Sequence, residues 1–181
     1  MEYQQTVRLK DGADCVLRSA AAEDGQAVLD IFIRTHEETD FLCSYPDECA
    51  MTAEDESDFL QKQADSEGAA EILAEIDGVI VGTAGIHPVS PRYKVRHRCE
   101  FGISVAKAYW RRGIGKALTE ACIECARKAG YAQMELEVVA DNAGAIALYR
   151  QMGFVEYGRN PCGFCSRLTG YQELLYMRLE L

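Results

Sequence analysis

No apolar run in this sequence approaches the roughly 18 residues that a membrane-crossing helix needs, so no membrane span is expected. The opening residues, Met1 to Thr6, lack the basic-then-apolar pattern of a secretory leader, and a cytoplasmic location is expected. Positive charge is scarce: 19 Lys and Arg face 29 Asp and Glu, for a formal net charge of −10. That balance argues against nucleic acid as a partner. There are no internal repeats and no low-complexity tract. Cysteine, by contrast, is plentiful, with 8 residues in the chain. In a cytoplasmic protein these are expected to be reduced thiols. Two Cys-x-x-Cys pairs, Cys122/Cys125 and Cys162/Cys165, raise the question of zinc. The first pair falls on the face of a predicted helix that also carries Leu118 and Ala121, where small thiols pack as core residues. The second lies in a Gly-containing stretch read as a loop. No metal site is expected.

The length of 181 residues fits one domain spanning 1–181, and 48% hydrophobic content supplies a substantial core. Charge is unevenly spread. Glu37 to Asp77 holds fourteen acidic residues and one basic residue, Lys62, whereas Phe101 to Thr119 holds four basic residues and no acidic one. A basic segment suits a polyphosphate ligand, and an acidic one can steer a cationic amine.

Periodicity outlines the elements. A first strand includes Val16 to Arg18, after a turn at Lys10-Asp11-Gly12. Ser19 to Glu23 reads as a helix cap, with Val28, Ile31 and Phe32 at helical spacing up to about Arg34. Glu37 to Met51 reads as loop, and Thr52 starts an acidic helix to about Ala64. Ala70 to Ile76 and Val79 to Ile86 are strands joined by Asp77-Gly78, a strong hairpin signal. Tyr93 to Val105 alternates apolar and polar residues and reads as one two-faced strand. Ile114 to Lys128 is a helix ended by Gly130. Met134 to Val139 is a strand, Asn142 caps a helix to about Met152, and Phe154 to Tyr157 and Tyr171 to Leu181 are closing strands. The order implies a mixed α/β fold, with helices on both faces of one sheet.

The chemistry concentrates after Val105. Here Trp110-Arg111-Arg112-Gly113-Ile114-Gly115-Lys116 lies between a strand and an amphipathic helix. Glycine lets the backbone bend tightly and a ligand approach closely. The helix start directs unpaired N–H groups and a positive dipole end into the turn, which makes an anion site suited to phosphate. The spacing is not that of a P-loop, because Trp110 stands at its first glycine and Ala117 at its Ser/Thr. It is not the dinucleotide fingerprint either, because Leu118 stands at the third glycine. A diphosphate loop of the coenzyme A type remains.

A second pattern follows downstream: a strand, then Asn142, Ala145, Leu148-Tyr149 and Gly153-Phe154. Taken together, the two patterns resemble the signatures of the GNAT superfamily of N-acyltransferases, strongly from about Cys99 to Tyr157. One departure is Trp110, where the superfamily usually carries Gln or Arg. Backbone N–H groups, which do much of the gripping, are unaffected by it.

The resemblance implies a mostly antiparallel sheet splayed between two central strands, those ending at Val105 and Val139. It implies acetyl-CoA as co-substrate, with backbone groups of Ile103, Ser104 and Val105 on the thioester and pantetheine. Trp110, Arg111, Arg112, Gly113, Ile114, Gly115 and Lys116 would surround the diphosphate, with Asn142 nearby. Direct acetyl transfer to a primary amine is implied, the acceptor being a small amine or a protein N-terminus. Tyr149 matches the superfamily's tyrosine acid, and its ordinary pKa of about 10 keeps it protonated at neutral pH. Glu100 is the leading candidate for the base, with His97 and Glu137 as rivals, and Arg98 is placed to pair with Glu100. Tyr45 could line an acceptor pocket. A non-catalytic CoA-binding module is the competing reading, and whether the chain forms a homodimer stays open.

Overall fold

A computed structural model describes residues 2–181. The elements are β1 (Gln4–Arg8), β2 (Asp14–Ser19), α1 (Gly25–Glu38), α2 (Ala53–Asp65), β3 (Ala70–Ile76), β4 (Val79–Pro88) and β5 (Arg98–Val105). They continue with α3 (Ile114–Lys128), β6 (Gln133–Val139), α4 (Ala143–Gln151), β7 (Val155–Ser166) and β8 (Gly170–Glu180). The eight strands form one sheet in the order β1-β2-β3-β4-β5-β6-β8-β7. Every neighbouring pair is antiparallel except β5 and β6. That parallel pair requires a crossover, and α3 supplies it.

Strand alternation sorts the sheet into two faces. Ile72, Ala84 and Phe101 lie on one face, in the large core with Ile114, Leu118 and Cys122 of α3. Leu73 lies on the other, in a smaller core with Val28 of α1 and Leu60 of α2. The Asp77-Gly78 turn forms as read, both residues having positive φ, 50° and 79°, as a two-residue primed turn requires. Thr52 caps α2, accepting the Asp55 N–H at 3.2 Å while the Asp55 carboxylate accepts the Thr52 N–H at 2.9 Å. This reciprocal pair satisfies donors that the helix leaves open.

Several boundaries differ from the sequence reading. The expected strand from Tyr93 begins only at Arg98, because the N–H groups of Val95 and Arg96 turn back onto the Arg92 carbonyl at 3.0 and 2.9 Å. Ser19 does not cap a helix; it ends β2, and its hydroxyl accepts the Tyr3 N–H at 2.9 Å. Helix α1 starts later, at Gly25, and runs past Arg34 to Glu38. Cys162 and Cys165 lie not in a loop but in β7, around an irregularity in register between Asn160 and Phe164. All eight cysteines are free thiols, with Cys122 and Cys125 fully buried in the main core.

Candidate active site

The sheet opens into a fork at its centre. Strands β5 and β6 pair only over Arg98↔Gln133, Cys99↔Met134 and Glu100↔Glu135, and beyond that level their ladder ends. The Ala106 N–H bonds to Val81 on the β4 side at 2.9 Å. Alternation therefore sends the main-chain groups of Phe101, Ile103 and Val105 the other way, into the fork. An unpaired strand edge of this kind offers both donors and acceptors to an extended, amide-bearing ligand. Ile103, Ser104 and Val105 are correspondingly half-buried.

An ion pair closes the vertex. The Arg98 guanidinium donates through Nη2 to Glu135 Oε2 at 2.6 Å and through Nε to Oε1, a two-point contact across β5 and β6. Arg98 hydrogen bonding holds the Glu135 carboxyl below the usual carboxylate range, against the opposing effect of burial. Arg98 is thus committed to Glu135, not to Glu100 as the spacing suggested. Glu100 pairs instead with His87, Oε2 to Nε2 at 3.0 Å, and both side chains are more than half exposed.

The glycine turn lies beside the open end of the fork. Arg111 and Gly113 both have positive φ, 63° and 104°, which glycine accepts freely and arginine does not. The first α3 bond in the chain direction is Ala117 N–H to Gly113 carbonyl, at 3.1 Å. Among the described residues, the N–H groups of 111–116 have no acceptor within the chain. A Cβ on Gly115 would stand 3.4 Å from Leu148 of α4 and 4.0 Å from Ile103 of β5, so the start of α3 adjoins both arms of the site. A row of free amides at a helix start next to an unpaired strand edge fits a ligand with an anionic group and an amide-bearing arm.

The charged side chains around this turn are less free than the sequence suggests. Arg112 faces Asp11 at 2.5 Å and lies 5.2 Å over the Tyr109 ring. Its own carbonyl accepts the Lys10 N–H at 3.2 Å. It therefore anchors the turn to the β1–β2 hairpin. Lys116 lies 3.5 Å from Glu120, an exposed pair that lets it move. Trp110, the unusual residue here, donates its indole N–H to the Val105 carbonyl at 2.5 Å and so staples the turn to the end of β5. Asn142 uses its side-chain oxygen to cap α4 at Ala145, 3.2 Å away.

Tyr149 comes to the fork from α4. Its ring meets Phe101 edge-on, with centroids 6.2 Å apart, and packs against Phe154 at 5.8 Å. Burial pushes its phenol up to about 12. Of the rivals, His97 and Glu137 are both exposed, His97 on the turn before β5 and Glu137 opposite Tyr176 on β8.

The opposite face of β4 and β5 lies towards α1 and α2. Glu38 ties α1 to the region, its carboxylate accepting the Lys107 N–H at 2.5 Å. Tyr45 does not stand free to line a pocket. It donates its hydroxyl proton to Asp40 at 2.8 Å, accepts the Arg167 N–H at 2.7 Å, and lies under the Arg167 guanidinium at 4.2 Å. Arg167 also grips Asp47 at 2.7 and 2.8 Å and Glu48 at 3.0 Å. These contacts latch the segment between α1 and α2 onto the β7–β8 turn. Sequence reasoning missed this latch, and it missed Glu71, Gly85 and Gly102, which share the α1/α2 face of the sheet.

Comparison with known proteins agrees with this geometry. The model of the Acetyltransferase (GNAT) family matches residues 26–154. The L-amino acid N-acetyltransferase AaaT of Escherichia coli (strain K12) is 31% identical over 168 residues, covering 91% of this chain and 97% of that protein. The chain spans only 56% of the length of N-acetyltransferase 8F1 from Mus musculus, to which it is 32% identical over 127 residues, 70% of this chain. Among solved structures, an acetyltransferase of the GNAT family from Streptococcus pneumoniae superimposes with a TM-score of 0.88 at 30% identity, over 92% of this chain and 99% of that one.

Proposed function

From the premise that the chain belongs to the GNAT acetyltransferase family and is an N-acetyltransferase with acetyl-CoA as co-substrate, we propose that it acetylates a primary amine by direct attack on the thioester. The observation that carries this reading is the fork in the sheet beside the free amides of 111–116. The diphosphate would rest on those amides, and the pantetheine arm would lie along the open edge of β5 around Ile103, between the last β5–β6 pair and the Val105 carbonyl held by Trp110. Trp110 and Arg112 position the turn, while Arg111 and Lys116 add exposed positive charge. The whole chain acts as one catalytic domain.

At this fork the acetyl carbonyl would face main-chain N–H groups, which stabilise the oxygen as negative charge develops on it. Tyr149 would donate a hydrogen bond to the sulfur as the C–S bond breaks. A phenol raised to about 12 stays protonated throughout the working range and acts chiefly by that bond. The acceptor would approach from the α1/α2 face. It must shed a proton before its lone pair can attack. Glu100, joined to His87 and open to water, would pass protons to solvent.

L-Amino acids are the first acceptors to assay, since the relative that acts on them matches along nearly its whole length. Peptides with a free α-amine are the second. The test is release of free thiol from acetyl-CoA across such a panel, with binding measured separately by calorimetry. Thiol release that depends on an amine supports the reading. Acetyl-CoA binding with no turnover on any amine or peptide would leave a non-catalytic binding module instead.

A further inference from the structure

Glu71 of β3 pairs with Gly85 of β4, and Gly85 pairs with Gly102 of β5. The three residues form a row across the sheet, on the face covered by α1 and α2. Gly85 has no side chain, and the Glu71 carboxyl occupies the place of one: a Cβ on Gly85 would stand 2.2 Å from Glu71 Oε2. Over Gly102 the situation is reversed, because no atom lies within 4 Å of where its Cβ would be. A slot therefore opens above Gly102, with the Glu71 carboxyl on its β4 side, about 4.8 Å away at the spacing of paired strands. Gly102 lies two residues past the fork vertex at Glu100, between Phe101 and Ile103. The slot thus adjoins the unpaired edge where the thioester would lie.

The groups around this carboxyl leave it able to take a proton. From β4, Thr83 hydrogen-bonds to it, and from α2 the buried Glu56 faces it. Burial raises the pKa of the Cys122 thiol of α3, and through the sheet the Glu71 charge raises it further. The buried polar residues of α1, Thr35 and His36, are bonded to carbonyls of their own helix at Ile31 and Phe32. His87 and Glu100 are paired with each other. Among the described residues no Lys or Arg forms an ion pair with Glu71. Burial pushes the carboxyl up to about 7, the Thr83 bond opposes this, and Glu56 adds to it. An unpaired base that titrates near neutrality, beside an empty slot, has the properties a general base needs.

We propose that Glu71 is the base of the acetyl transfer and that the acceptor nitrogen occupies the slot above Gly102. This rests on the acetyltransferase reading given above. The acceptor enters as an ammonium ion; an N–H bond breaks and its proton passes to the Glu71 carboxylate. The freed lone pair forms the N–C bond at the thioester carbonyl, and the C–S bond breaks with its electron pair on sulfur. The nitrogen then loses a second proton, which balances the one that ends on the thiol beside Tyr149. Glu71 returns its proton to water.

The test compares E71Q and G102A with the parent enzyme, using the L-amino acid or peptide that gives most thiol release. Gln keeps the shape of the side chain and still accepts from Thr83. Ala at 102 meets no neighbour, so its folding is not at issue. E71Q is expected to lower kcat/KM at pH 7.5 about 100-fold and to remove the acid limb near pH 7 from the rate profile, with acetyl-CoA affinity by calorimetry within twofold. G102A is expected to raise the acceptor KM more than tenfold at unchanged acetyl-CoA affinity. An E71Q enzyme within tenfold of the parent that keeps the limb would overturn the assignment, as would a G102A enzyme with the parent's acceptor KM. Failure of the parent itself to bind acetyl-CoA would strike the underlying reading instead, so the two failures are separable.

Discussion

The two sides of the central strands are built on different principles. On the side proposed for the coenzyme, the loop at 111–116 and the fork beyond Glu100 present main-chain groups, and the side chains near them mostly hold the backbone in place. On the side proposed for the acceptor, the features are side chains and gaps between them: Glu71 over Gly85, nothing over Gly102, and a segment latched by Arg167. A ligand common to many enzymes can be held by backbone, which needs only a bend and a helix start. An acceptor particular to one enzyme has to be recognised by side chains.

This contrast predicts where substitutions act. The largest effect is expected at Gly113. Valine there must adopt a φ of 104°, which a β-branched residue avoids, so the free amides lose their alignment. Calorimetry should find acetyl-CoA affinity lowered at least about 100-fold, corresponding to roughly 2.7 kcal/mol. Unchanged affinity would mean that backbone geometry at this turn is not what holds the ligand.

Next is Y149F, which removes the phenol proton proposed to reach the leaving sulfur and leaves the ring packed against Phe101 and Phe154. Turnover should fall about 100-fold, while acetyl-CoA affinity stays within twofold. Equal turnover would exclude Tyr149 as the donor.

The effect of Glu71 on stability is smaller and of opposite sign to its effect on rate. Its folded-state pKa, about 7, lies above the ordinary value of 4.5. Between these values the folded chain holds a proton that the unfolded chain releases. The parent should therefore lose stability as pH rises from about 4.5 to 7, and E71Q should not. Above pH 7 the variant should be the more stable of the two, by on the order of 2 kcal/mol, while being the less active. Thermal melts of both proteins at pH 5 and pH 8 measure this. A parent and variant that melt in parallel would show that the carboxyl is not perturbed.

The smallest effect is expected from R167A. The Arg167 pairs with Asp47 and Glu48 are about half exposed, and such pairs contribute about 0–1 kcal/mol. The melting temperature should scarcely change. Faster proteolytic cleavage within 39–51 is expected, with unaltered acetyl-CoA affinity. Cleavage at the parent's rate would show that the latch does not restrain the segment.

The same contrast explains what could be read from the sequence. The bend at Gly113, the Asn142 cap and the inward position of Tyr149 were legible because backbone bends, helix caps and inward helix faces depend on nearby residues. The helix Ile114–Lys128 and the Asp77-Gly78 hairpin are local in the same sense. The Arg98–Glu135 pair was not legible, because 37 positions separate its partners and only the β5–β6 register brings them together. The row Glu71–Gly85–Gly102 was hidden by a further step. The hairpin starts in register as Ile76↔Val79, but an irregularity between Ala74 and Glu75 shifts it by one residue. Without that shift Glu71 would face Ala84 rather than the glycine that makes room for its carboxyl. Nothing in the alternation of β3 or β4 announces such a bulge.

The central claim is that the amides of 111–116 and the open edge of β5 together hold acetyl-CoA. A crystal structure of the complex with coenzyme A tests it most directly. The account predicts diphosphate oxygens within hydrogen-bonding distance of those amides, and the pantetheine arm between β5 and β6. A coenzyme bound outside the fork, with these amides facing only water, would contradict it.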